Sequence, residues 1–160
     1  MTEERAIQVA ADWWVDAVKA GVWDNGDAET ELHHAAFRSM APKLTEADLP
    51  LIRAAVVEVL EEEAATWERR GAEWLAKSPA PYHMKLRFEL YSDYGNNRLD
   101  EACRKRGSKF ICGIHGPQKA GTQIHEQDDG LFIVRAKGGY GADWIILEDS
   151  SCSDASSQTG

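Results

Sequence analysis

The chain has 160 residues, and 27 Asp and Glu against 18 Lys and Arg give a formal net charge of −9. A length of this order favours one domain, or two very small ones, with room for a real hydrophobic core. Hydrophobic residues at 43% and charged residues at 28% are ordinary globular values, which argues against a wholly disordered chain. No apolar run approaches the roughly 18 residues that a membrane span needs, and the N-terminus lacks a signal-peptide core, so we expect a cytoplasmic protein without membrane contact.

The first part of the chain has the periodicity of amphipathic helices. Apolar residues recur at i, i+3 and i+4 spacing from Glu3 to Ala20, which predicts a helix with one buried stripe and Thr2 as its N-cap. Gly21 is a natural stop. Turn residues follow it, and a second helix is predicted over residues 28–40.

A third and longer helix is predicted over residues 45–77. Thr45 and Asp48 have the spacing of a capping box, with Asp where Glu or Gln is usual. Residues 1–78 would therefore form an acidic region of three helices. Three large aromatic side chains are expected to be buried together in this region: Trp14, Phe37 and Trp67.

The period of the pattern changes after residues 78–81, whose sequence Ser-Pro-Ala-Pro ends the helical region. Apolar and polar side chains alternate over residues 82–91, with Leu90 in the apolar set and Arg87 in the polar set. This alternation predicts a strand with one buried face and one exposed face.

The rest of the chain predicts one short helix and three further strands. The helix is expected from Arg98 to about Arg106, and Gly107 would close it. Residues 110–121 begin as an apolar segment and become a Gly/Pro loop. The remaining predicted segments are a hairpin of Thr122–Glu126 and Leu131–Arg135, a last strand over residues 143–147 and a disordered tail over residues 150–160.

These elements predict an α+β fold, in which the N-terminal three-helix region packs with a small, mostly antiparallel sheet that bears one short helix. The second region covers residues 82–149. The net charge also differs between the two regions. Residues 1–81 carry 16 acidic and 8 basic side chains, whereas residues 82–160 carry 11 acidic and 10 basic side chains. The first region therefore lacks the basic footprint that generic nucleic-acid binding needs.

An acidic region can instead meet a basic groove on another protein, including one that normally holds nucleic acid. It can also be a solvated face that aids solubility. The candidate partner-binding residues are glutamates of the third predicted helix: Glu58, Glu61, Glu62, Glu63 and Glu68.

The second region contains a local run of basic residues between Arg98 and Lys109. Basic side chains near the C-terminus of the short helix suit its dipole. Together with aromatic residues nearby they could also form an anion-binding surface. The candidate ligand-binding residues are Tyr94, Arg98, Lys119 and Tyr140.

Two cysteines and two histidines are the best metal-ligating candidates: Cys103, Cys112, His115 and His125. Cys112 and His115 resemble half of a tetrahedral zinc site, but the spacing as a whole matches no standard finger or ribbon. The alternative interpretation places Cys103 in a packed helix face and Cys112 in a strand, as ordinary buried thiols. We therefore predict neither a bound metal nor another cofactor.

Catalytic motifs give no support for an enzyme. The chain has no nucleophile elbow and no cysteine with a recognisable catalytic signature. Cys112 and His115 are too close in sequence for the usual dyad, whose members meet only in the fold. The prediction is a non-enzymatic protein.

The resemblance to known proteins is general in kind and involves several short segments between residues 93 and 142. These segments are Asp93-Tyr94-Gly95, Arg98, Glu101-Ala102 and Gly139-Tyr140-Gly141-Ala142. In size, acidity and lack of a catalytic signature, the chain resembles the small accessory proteins that phages and prophages encode. The resemblance implies interference with host defence, either by occupying the nucleic-acid groove of a nuclease or by sequestering a signalling nucleotide.

The leading hypothesis is a phage-encoded, non-enzymatic protein that inhibits a bacterial defence system, a CRISPR nuclease effector above all, by protein–protein contact in the cytoplasm of the infected host. The first alternative is a small-ligand or nucleotide-binding protein that uses the Tyr94 and Arg98 set. The second alternative is a zinc-binding protein or enzyme that uses the Cys103 and His125 set.

Overall fold

The computed structural model describes residues 1–20, 42–77, 84–91, 97–115, 120–138 and 142–148. Its helices are α1 (Glu3–Ala20), α2 (Asp48–Lys77), α3 (Asn97–Lys105) and the single turn α4 (Cys112–His115). Its strands are β1 (Met84–Tyr91), β2 (Gly121–Gln127), β3 (Phe132–Lys137) and β4 (Ile145–Leu147). The strands form one antiparallel sheet in the order β1-β2-β3-β4. The predicted α+β class is confirmed. The second predicted helix, over residues 28–40, and the predicted tail lie outside the described residues.

Helix α1 begins and ends at the predicted residues, Glu3 and Ala20. Thr2 caps it, because its Oγ1 accepts a hydrogen bond from the backbone N–H of Arg5 at 3.2 Å. The acidic side chains of Glu3 and Glu4 in the first turn suit the positive end of the helix dipole. Over the part of the chain that the structure describes, neither α1 nor any other helix is both long and apolar enough to cross a membrane.

Helix α2 is opened by the predicted capping interaction. The Asp48 carboxylate accepts hydrogen bonds from the backbone N–H and the hydroxyl of Thr45, at 2.8 and 3.2 Å. Aspartate thus replaces the usual glutamate of a capping box. Pro50 lies in the first turn, where its missing N–H has no intrahelical partner to lose, and the helix continues without interruption to Lys77.

One buried cluster draws residues from both predicted regions. Trp14 of α1 is completely buried, and its indole N–H donates to the hydroxyl of Thr122 on β2 at 3.1 Å. Helix α1 therefore packs against the sheet as well as against α2. The predicted partners of Trp14 were Phe37 and the side chain of Trp67, and both lie outside the described residues.

Strand β1 contains an irregularity that the alternating sequence does not reveal. Its register on β2 shifts between Leu86, whose backbone pairs with His125, and Phe88, whose backbone pairs with Ile124. Arg87 lies at this bulge. Its side chain is only 17% exposed, and its guanidinium lies 3.4 Å from a carboxylate oxygen of Glu126 and 3.9 Å from one of Glu3. The prediction that Arg87 belongs to an exposed face is wrong, because at the bulge its side chain lies against the carboxylates of Glu126 and Glu3.

Helix α3 follows the prediction closely. It ends at Lys105, and Gly107 closes it with a φ of +85°, a conformation that glycine adopts without the strain of a side chain. The predicted inward residues Leu99, Ala102 and Cys103 are all buried.

The segment after α3 differs from the prediction, since Cys112 starts the helical turn α4 rather than lying in a strand. The backbone N–H of Cys112 donates to a carboxylate oxygen of Asp100 at 2.7 Å. A side chain from α3 thus caps this turn, in the way that a local N-cap residue normally would.

The predicted hairpin is confirmed, with strand ends shifted by one or two residues. The turn is closed by two backbone hydrogen bonds, from the N–H of Gln127 to the carbonyl of Leu131 and from the N–H of Gly130 to the carbonyl of Gln127. Gly130 has a φ of +82°, which a turn of this kind requires. The last strand, β4, is shorter than predicted and pairs with β3.

Candidate functional site

The acidic surface predicted on α2 faces the basic run predicted on α3. One carboxylate oxygen of Glu58 accepts from the Arg106 guanidinium at 3.1 Å, and the other accepts from the Lys105 ammonium at 3.3 Å. The hydrogen bond from Arg106 lowers the pKa of Glu58 against the opposing effect of burial, and Lys105 lowers it further. Glu58 is therefore held as a carboxylate by its neighbours on α3.

A second contact continues the same line of ion pairs. The guanidinium of Arg98 donates to Glu62 at 2.9 Å and also to Glu63. Because Glu58 meets the end of α3 and the other two glutamates meet its start, the two helices run antiparallel. We call these six residues the α2–α3 seam: Glu58, Glu62, Glu63, Arg98, Lys105 and Arg106.

The seam changes the interpretation of three candidate partner-binding residues. Its three acidic and three basic side chains balance in charge, so Glu58, Glu62 and Glu63 stabilise the orientation of α3 on α2. Partly exposed ion pairs of this kind contribute only about 0.2–1 kcal/mol each.

Glu61 has a different position from the glutamates of the seam. Ala54, Glu61 and Ala65 recur at i, i+7 and i+11, so they lie along one face of α2, which we call its outer face; the seam residue Glu58 borders this face on the side of α3. Both alanines and Glu61 are exposed. Glu68 lies on the same helix, but its side chain is outside the described residues.

The predicted ligand-binding set is reduced to one described residue. Arg98 belongs to the α2–α3 seam, whereas Tyr94, Lys119 and Tyr140 lie outside the described residues. An anion that used Arg98 would therefore compete with Glu62 and Glu63 for its guanidinium.

The four candidate metal ligands are all described, and the structure does not gather them into a site. Over the described ranges, no three His, Cys, Asp or Glu side chains are placed to hold a metal ion. Cys103 and Cys112 are both buried, and burial together with the charge of Asp100 raises the pKa of the Cys103 thiol to about 12.

The two histidines have separate hydrogen-bonding roles. His115 Nε2 lies 2.7 Å from the carbonyl oxygen of Pro42, which can only accept, so Nε2 carries the proton. His115 Nδ1 then accepts from the backbone N–H of Ile111 at 3.0 Å. His125 is buried on β2, and its pKa is lowered by burial and by the charge of Arg135.

We expect Cys103 to resist alkylation in the folded protein, because a buried thiol with so high a pKa presents almost no thiolate. Iodoacetamide labelling followed by peptide mass spectrometry should show Cys103 unmodified near neutral pH and modified in the same protein after unfolding in urea. Modification of Cys103 in the native protein at the rate of a free thiol would contradict the placement of this side chain.

Two groups of residues were missed by sequence reasoning. The first is Asp48, which beyond its capping role accepts from the Ser108 hydroxyl at 3.1 Å and from the Lys109 N–H at 3.3 Å. These contacts join the start of α2 to the loop after α3. Asp48 is buried, and the hydrogen bond from the Thr45 N–H is the main cause of its lowered pKa.

The second missed group is a set of polar residues on the sheet: Glu89, Gln123 and Arg135. It lies on the opposite face of the sheet from the buried residues Ile124 and Val134. Gln123 accepts from Arg135 at 2.7 Å and donates to Glu89 at 3.1 Å. The guanidinium of Arg135 also lies 5.3 Å from the ring centre of Trp144. The hairpin register, which pairs Gln123 with Arg135, was the signal that could have found this polar network.

Comparison with known proteins gave no match to a protein-family model, a curated protein or a solved structure.

Proposed function

We propose that the protein is a phage-encoded, non-enzymatic binding protein that inhibits a bacterial defence system through protein–protein contact, with a CRISPR nuclease effector as the partner to test first. The observation that supports the proposal is the outer face of α2, where Glu61 lies between the exposed side chains of Ala54 and Ala65. Because the side chain one turn after Glu61 is the small, exposed Ala65, the Glu61 carboxylate can approach a basic surface closely.

This face is presented by a helix that is anchored on two sides. On one side, Arg53 of α2 donates to Asp12 at 2.8 Å and to Gln8 at 2.6 Å, which ties α2 to α1. On the other side, the α2–α3 seam ties it to α3. A partner would therefore meet a helix that is already ordered, and association would cost little conformational entropy.

The chemistry of a nucleic-acid groove fits such a face. A groove that holds phosphates is lined with Lys and Arg, and an acidic helix competes for these side chains without contacting a base. The net charge of −9 adds a long-range attraction to a basic partner. Inhibition would then follow from occupation of the groove.

We expect Glu61→Lys to weaken binding to the partner effector by about tenfold or more, since it replaces an attraction with a repulsion at the centre of the proposed face. Affinity is to be measured by calorimetry with each purified effector, beside a nuclease assay in which inhibition falls in parallel. The effect should shrink as salt is raised, because exposed charges are screened.

Asp16→Lys is the matched control, since it makes the same charge change at an exposed position of α1. We expect it to change affinity less than about threefold. Equal losses in both variants would mean that bulk charge, and not the α2 face, drives association. Absence of binding and of inhibition across several effector types would refute the proposed function itself.

A further inference from the structure

Strand β4 ends the sheet with two exposed isoleucines. In the described part of the sheet, its one neighbouring strand is β3. Ile145 is 55% exposed and Ile146 is 61% exposed. Edge strands of native proteins are usually protected by charged side chains, proline or a covering element, so two adjacent exposed isoleucines at an edge are unusual.

The exposure follows from how far the helices extend over the sheet. Helix α1 packs on β2 and β3, and α2 packs on β1. Ile145 pairs with Ala136, which is buried. Ile145 therefore lies on the same face of the sheet as the helices, which contact this face at β1, β2 and β3. Ile146 pairs with Arg135 and lies on the opposite face. Both faces of β4 are therefore apolar and open to solvent at this edge.

The charges beside β4 indicate which kind of strand could be added. Asp143 and Glu148 are exposed at the two ends of the strand. If a second copy paired antiparallel and centred on Ile145 and Ile146, Asp143 of each copy would face Glu148 of the other. Like charges directly opposite each other destabilise a strand pair, so this arrangement disfavours a dimer through β4.

We propose that the β4 edge binds an extended segment of another protein as a fifth strand, and that this segment has apolar residues on both of its faces between basic flanks. Alternate residues of an edge strand direct their N–H and C=O groups away from the sheet, where an added strand can pair with them. Ile145 and Ile146 contact apolar side chains on the two faces of the added strand. Asp143 and Glu148 attract its basic flanks.

The test uses the full chain and two labelled peptides with the same central run of consecutive valines, one with lysine flanks and one with glutamate flanks. Fluorescence anisotropy should show binding of the lysine-flanked peptide at least tenfold tighter than that of the glutamate-flanked peptide. Hydrogen exchange should slow at residues 145–147 when the lysine-flanked peptide is bound. No binding of this peptide up to about millimolar concentration would overturn the proposal.

Two double variants separate the apolar contribution from the charge contribution. Changing Ile145 and Ile146 to Thr keeps a high strand propensity and should weaken binding of the lysine-flanked peptide at least tenfold. Changing Asp143 and Glu148 to Lys should reverse the preference between the two peptides. Unchanged binding in both folded variants, or association of the chain with itself through β4, would show that another surface or occupant is involved. No defence protein enters this experiment, so its outcome is independent of the proposed function.

Discussion

Trp14→Ala should lower the free energy of unfolding by about 3–5 kcal/mol, the range for removal of a large buried aromatic side chain. Trp14 is completely buried between α1 and the sheet, and its loss would leave a cavity and remove the hydrogen-bond donor of the buried Thr122 hydroxyl. For a chain of this size the loss corresponds to a fall in Tm of about 6–20 °C. Urea denaturation and differential scanning calorimetry would measure it.

Two further variants keep this prediction testable if Trp14→Ala does not fold. Trp14→Phe retains most of the ring but not the N–H, and should cost about 1–2 kcal/mol. Trp13→Ala is the matched control, because Trp13 is only partly buried and packs edge-on against Trp14 at 5.7 Å. A larger loss for Trp13→Ala than for Trp14→Ala would contradict the assignment of Trp14 to the core.

Short-range patterns in the sequence account for most of the elements. The i, i+3, i+4 repeat and the Thr2 cap define α1 to the residue, and Gly107 and Gly130 are found at the positive φ angles that their turns require. In each case the determining residues lie within one or two turns of the feature. Local geometry is therefore enough to predict it.

The features that were missed depend on residues far apart in sequence. Turn α4 begins where Asp100 accepts the N–H of Cys112, twelve residues away. The bulge at Arg87 brings that side chain to Glu3 and Glu126, although the apolar alternation of β1 continues past it. Neither contact leaves a periodic signal in the sequence.

The ion pairs of the candidate site are also contacts between residues far apart in sequence, and the sequence pattern did not predict them. Sequence reasoning treated the glutamates of α2 and the basic run after Arg98 as two separate surfaces, but much of each is used in the α2–α3 seam. Charge counts along a chain cannot tell which opposite charges will meet in the fold. What the structure adds is that Glu58 and Glu62 pair with basic side chains at α3, whereas Glu61 is exposed on the outer face next to them.

Asp48→Ala should destabilise the protein by about 2–4 kcal/mol at neutral pH, because the carboxylate both caps α2 and holds the loop after α3. Its removal leaves the N–H groups of Thr45 and Lys109 and the buried Ser108 hydroxyl without this acceptor. Asp48→Asn keeps the shape but not the charge and should lose less. Urea denaturation of the three proteins at pH 7 would establish the order.

The same residue predicts a pH dependence whose sign follows from its lowered pKa. A carboxyl group with a folded-state pKa below its unfolded value of 3.8 contributes stability that is fully present above the unfolded pKa. This contribution is lost as the pH falls through the folded pKa. The stability difference between the native protein and Asp48→Asn should therefore be largest at neutral pH and should narrow as the pH falls below about 4. A difference that stays constant from pH 7 to pH 3 would mean that Asp48 stabilises the fold by shape alone.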